Sequence, residues 1–190
     1  MLRNSIIATC LVACIAVLFS CQQKPVKLLV FSKTAGFRHA SIKEGKVALL
    51  KMAAENNWQI DTTENSEVFT EDNLQSYSTV IFLNTTGDVL DFKQQAAFER
   101  YIQAGGGFVG IHAATDTEYE WPWYGRLVGG YFDGHPGDPN VREGKATVVD
   151  TDHLSTKGFP EEWIKVDEFY DFKSMNPNIK LLETIDKNSY

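Results

Sequence analysis

Lys27-Leu28-Leu29-Val30-Phe31-Ser32 is an apolar run broken only at its two ends. A strand with one wet face alternates apolar and polar residues; a strand covered on both faces has no need to. The run therefore reads as a buried parallel strand. Downstream, Ser41-Ile42-Lys43-Glu44 has the spacing of a capping box, predicting a helix with Val47, Leu50 and Ala54 on one face that ends near Asn56-Asn57. Trp58 to Thr62 is a weaker second strand, and Thr79 to Leu83 a third that is apolar throughout. Asp91-Phe92-Lys93-Gln94 repeats the capping-box pattern and opens a helix that stops at Gly105-Gly106-Gly107, before a fourth strand, Phe108-Val109-Gly110-Ile111. Strands alternating with helices mean βαβ units. The expected architecture is a three-layer α/β/α sandwich, doubly wound around a mostly parallel sheet. Beyond Gly130 the pattern loosens, with short strand candidates at Ala146–Val149, Ile164–Val166 and Lys180–Thr184 and no long helix between them.

Upstream of the first strand the chain reads as a leader. Arg3 precedes an apolar run, Ile6 to Phe19, shorter than the ~20 residues that span a bilayer as a helix. The run suits a secretory signal, and Leu18-Phe19-Ser20-Cys21 resembles a bacterial lipobox, in which the Cys is diacylated. Residues 1–20 are thus expected to be removed, 21–26 to be a lipidated tether and 27–190 to be the folded domain. Two acyl chains hold a protein on a membrane stably. Gln22 follows Cys21, which predicts an outer-membrane anchor facing the periplasm. Cys10, Cys14 and Cys21 are the only cysteines, so the folded part offers no disulfide, thiol nucleophile or thiolate metal site. The whole chain carries a formal net charge of −7 at pH 7, and losing Arg3 with the leader makes the remainder more acidic. Nucleic acid calls for a basic stripe, so the charge argues against it as a partner.

Ligands of open α/β sheets bind beyond the carboxyl ends of the strands. After the first strand come Lys33 to His39, after the third Asn84 to Asp88, and after the fourth His112 to Asp116. His39 and His112 fall in these loops; His135 and His153 lie in the irregular part. Each histidine has a structural alternative as a hydrogen-bonded core residue, and Asp116 as a turn cap. Tyr119-Glu120-Trp121-Pro122-Trp123-Tyr124 is too dense in aromatics beside Pro for an ordinary helix. It suits either a core plug or a platform on which sugar rings stack.

Four stretches carry a resemblance. Thr34 to Ile42 resembles the opening motif of the ThuA-like family, and Gly105 to Asp116 its central motif. Trp121 through Phe132 to Gly134-His135-Pro136 continues the match, and Asp167 to Phe172 is similar to the later acidic-aromatic motif. The resemblance implies a fold like that of class I glutamine amidotransferases and a role in the use of trehalose or a related disaccharide. Gly110-Ile111-His112 stands where amidotransferases carry their Cys nucleophile, which excludes thiolate acyl-enzyme chemistry. Members of the family continue past a strand like Leu181-Leu182-Glu183-Thr184, so residues 27–190 are expected to lack a closing segment.

These readings predict an exported protein acting on a disaccharide or keto-sugar. His112 is the expected general acid or base, Asp116 its orienting partner and Glu168 the second acid/base group. Arg38, His39 and His135 are expected to bind hydroxyls, and Trp121 and Trp123 to form the sugar platform. The alternatives are a noncatalytic sugar-binding lipoprotein and a metal-dependent hydrolase. For the latter, His112, Asp116 and His135 or His39 are weak ligand candidates, because no paired His or Cys spacing marks a site. No cofactor is predicted.

Overall fold

In the computed structural model, which describes residues 25–190, β1 (Lys27–Phe31) lies inside a parallel sheet of order β2-β1-β3-β4. Its partners are β2 (Gln59–Thr63) and β3 (Thr79–Leu83), and β4 (Gly107–Ile111) pairs with β3. Alternate residues divide the core. Leu29, Phe31, Val80 and Phe82 face Phe69, Leu74, Phe98 and Tyr101 on one side. Leu28, Val30, Ile81 and Leu83 face Leu49 and Ile60 on the other. The predicted layers are present: α1 (Ile42–Glu55) covers the second face, and α2 (Glu71–Leu74) and α3 (Phe92–Gln103) cover the first.

The Asp91 capping box forms as read, with Asp91 accepting from the N–H of Lys93 and Gln94 while Gln94 reaches back. The Ser41 box does not. Ser41 is already helical (φ −65°, ψ −8°) and caps no N–H; its Oγ instead accepts from Asn84 Nδ2. The buried stripe of α1 also differs from expectation. Val47 is 61% exposed, whereas Ile42 and Ala53 are buried. A Cβ added at Gly45 would meet Leu83 at 2.8 Å, so the helix seats its smallest residue on the sheet. That close approach turns Gly45 and Leu49 inward and Val47 and Leu50 outward.

The aromatic stretch read as nonhelical begins a helix, α4 (Pro122–Val128). Proline suits a first helical position, where its N–H would be unpaired anyway, and Gly129 at φ 100° closes the other end. Beyond it the chain turns antiparallel. β5 (Tyr131–Gly134) pairs with β8 (Asp171–Lys173), and β6 (Val141–Val148) pairs with both β7 (Glu162–Glu168) and β9 (Glu183–Ile185). Among the described residues no helix is long and apolar enough to cross a membrane. Cys21 and its leader lie outside the described residues.

Candidate functional site

The 2-1-3-4 strand order puts a change of winding direction between β1 and β3, where such sheets open a crevice beyond their carboxyl ends. The loop after β1 delivers His39 there. A bridge from Thr34 to Thr86 ties that loop to the one after β3, and a bridge from Gly87 to Thr117 ties the latter to the loop after β4. His112 is the first residue beyond β4 and has φ 49°. A left-handed backbone at a non-glycine residue costs ~1–3 kcal/mol and persists only where its surroundings impose it. It turns the chain sharply from strand into a short 3-10 turn, His112–Thr115, and leaves the imidazole at the rim.

The antiparallel half supplies the opposite wall. Register pairs Val141 with Glu168, so the end of β7 sits beside Asn140, whose Nδ2 donates to Glu168 Oε1. The β5–β8 pairing places His135, just after β5, near Tyr170, just before β8; their rings are 6.3 Å apart. One carboxylate gathers the result. Glu168 Oε2 lies 3.2 Å from His112 Nε2 and 3.6 Å from His39 Nε2, and Oε1 lies 3.5 Å from His135 Nε2. Tyr170 stacks on His112 with ring centres 4.3 Å apart, and its hydroxyl is 3.1 Å from His39 Nε2. Phe37 stands edge-on to His39 at 4.9 Å and is 70% exposed.

Burial, with the His39 ring beside it, lowers the pKa of His112 below the ordinary histidine value. Burial pushes Glu168 the other way, but the Asn140 amide and the facing His135 and His112 outweigh it and hold its carboxyl below the usual range. At neutral pH the site is a carboxylate facing a neutral His112, whose Nε2–H donates to Oε2. Burial is also the first cause of the raised Tyr170 pKa, and the neighbouring Glu168 adds to it, so that hydroxyl stays protonated.

Four of the predicted residues, His39, His112, His135 and Glu168, meet. Asp116 does not orient His112: its Oδ1 accepts from the Tyr119 hydroxyl at 2.6 Å. Arg38 forms a two-point contact with Glu64, at 2.9 and 3.1 Å, which Lys46 shares. Trp121 and Trp123 stack on each other at 5.1 Å and pack against Phe98 in the core. His153 bonds Ser155 Oγ instead. Sequence reasoning missed Tyr170, although it stands two residues after Glu168, and Phe37, two residues before His39. It also missed Asn84, which is buried at φ 50° with an Oδ1 that takes no hydrogen bond among the described residues.

His112, Glu168, Tyr170 and Asn84 border a cleft of about 1410 Å³ that runs between α1, β4 and the antiparallel strands. Ordinary small-molecule pockets hold ~300–1,000 Å³, so a small ligand would fill only part of it.

A crystal structure of a ThuA-like protein from Bacteroides uniformis superposes with a TM-score of 0.76 at 23% identity, covering 89% of this chain and 71% of that one. One from Parabacteroides merdae gives a TM-score of 0.66 at 22% identity over 87% and 71%. At such identities the likeness speaks for the fold. No curated protein matches. A family model described as trehalose utilisation matches residues 27–190, and the chain therefore belongs to the ThuA family.

Proposed function

We propose that the chain takes up a disaccharide or keto-sugar at the Glu168 cluster and processes it there. The observation that carries this reading is one carboxylate facing three imidazoles delivered by three separate loops. A purely structural histidine needs no such convergence, and sugar chemistry needs several groups that hold hydroxyls and exchange a proton. His112 and Glu168 form the proton-handling pair. His39, His135 and the Tyr170 hydroxyl hold sugar oxygens. Exposed Phe37 offers an apolar face for the ring, a part the sequence had given to Trp121 and Trp123. The family's link to trehalose utilisation supports the substrate class.

Trehalose, related disaccharides and their keto forms should be titrated calorimetrically and followed for turnover. His112→Ala and Glu168→Gln should abolish the response while far-UV circular dichroism stays near wild type. Two folded variants that work normally would remove the site from this place. The proposal also makes the chain an exported lipoprotein anchored through Cys21. Cys21→Ser should block incorporation of labelled fatty acid, and labelling that persists in the variant would refute the anchor.

A further inference from the structure

We propose that His39 Nε2, His112 Nε2 and Glu168 Oε2 form a binding site for a divalent transition-metal cation, with zinc the best fit. One ligand atom from each residue lies within 4.8 Å of the other two, and the ring atoms nearest Glu168 Oε2 are the two Nε2. Zinc bonds to imidazole nitrogen and carboxylate oxygen are ~2.0–2.2 Å, which places two ligands of a tetrahedral centre ~3.4 Å apart. The two nitrogen–oxygen edges here measure 3.2 and 3.6 Å, on either side of that spacing. Two imidazoles and a carboxylate are also a donor set that leaves a fourth position open. The ligand set differs from the one expected from sequence, because Asp116 is engaged with Tyr119 and Glu168 takes its place.

The contacts around the three atoms agree with this. Among the described residues every polar contact of His39 is made by Nε2, and its buried Nδ1 has no partner there. The other oxygen of Glu168 is held by Asn140 Nδ2, which fixes the carboxylate and leaves Oε2 to the two rings. The hydrogen bond of His135 Nδ1 to the Pro136 carbonyl, at 3.0 Å, requires the proton on Nδ1, because a carbonyl only accepts. Its Nε2 lies 3.5 Å from Glu168 Oε1, so the third ring faces the carboxylate oxygen that the cation does not use. Bound there, the cation would take the place of the proton between His112 Nε2 and Glu168 Oε2 and would offer its open position to a sugar oxygen.

The site is shared with the proposed sugar reading, but its test is run without sugar, so either can fail alone. The untagged full-length chain is stripped with chelator and titrated with zinc chloride by calorimetry. His39→Ala, His112→Ala and Glu168→Gln should each bind one equivalent less than wild type, or bind it at least tenfold more weakly. His153→Ala, outside the cluster, should match wild type. Any zinc taken by Cys10, Cys14 or Cys21 is the same in every variant and cancels in the comparison. Should an alanine variant lose its far-UV circular dichroism, His39→Gln and His112→Gln are read in its place. Cobalt should give visible d–d absorption of a four-coordinate centre in wild type that the variants lack. Equal stoichiometry and affinity across wild type and the folded site variants would overturn the proposal.

Discussion

Replacing Glu118 by alanine is expected to be among the most damaging single changes, although the residue is outside the ligand cluster. Glu118 is 1% exposed. Its Oε1 accepts from the backbone N–H of both Val89 and Leu90 at 2.8 Å, and its Oε2 from Gln95 at 2.6 Å. Alanine leaves two buried N–H groups unpaired, at ~1–3 kcal/mol each. Water entering the vacated space recovers part of that, so a net loss of ~2–4 kcal/mol is expected. For a domain of this size ~3 kcal/mol lowers Tm by roughly 6–12 °C. Glu118→Gln keeps an oxygen for the two N–H groups, and Gln95 turns its own amide to accept, so the loss should stay below ~1 kcal/mol. Burial raises the folded-state pKa of Glu118 above its ordinary value of 4.5. An acid with a raised folded pKa contributes its full stability below the unfolded pKa and loses it as pH rises through the folded one. The wild type should therefore lose ground to Glu118→Gln as pH climbs from below 4.5. Differential scanning calorimetry of the three proteins from pH 4 to 8 checks each point. An alanine variant melting with wild type would refute the argument, as would a glutamine variant as weak as alanine.

Gly125→Ala should destabilise, because the new Cβ would lie 2.5 Å from Tyr131 Cε2, a ring fixed by hydrogen bonds to the Glu118 and Trp121 carbonyls. Overpacking of ~1–3 kcal/mol outweighs the helix-propensity gain of up to ~1 kcal/mol, and urea unfolding reads the difference. Trp123→Ala is expected to cost stability while leaving sugar affinity unchanged, since the indole packs on Phe98 and Trp121; a matching loss of affinity in calorimetry would restore the sugar-platform reading. Hydrogen bonds from Arg38, then Lys46, lower the pKa of Glu64 to about 2. That contribution is present above the unfolded value of 4.5 and disappears as pH falls through 2, so side-chain carboxyl NMR should show Glu64 titrating well below the exposed glutamates. A Glu64 midpoint near 4.5 would mean that the Arg38 contact does not form in solution.

By itself the sequence determined the sheet. A strand buried on both faces has to be apolar at every position, so Leu28 to Phe31 and Val80 to Leu83 announce themselves without their neighbours. It also placed His39 and His112 beyond strand ends, because loop position follows from strand position. Only the tertiary structure decided which way α1 faces, since Val47 and Leu50 have a helical period as good as that of Gly45 and Leu49. The choice falls to the close approach of Gly45 to Leu83. The site was decided the same way. Glu168 is 56 residues from His112, and Tyr170 is 131 from His39. Their meeting depends on the β6–β7 and β5–β8 registers, which short and partly exposed strands do not reveal in their residue pattern. Periodicity reports what a segment buries; which segments share a crevice is fixed only when the strands have paired.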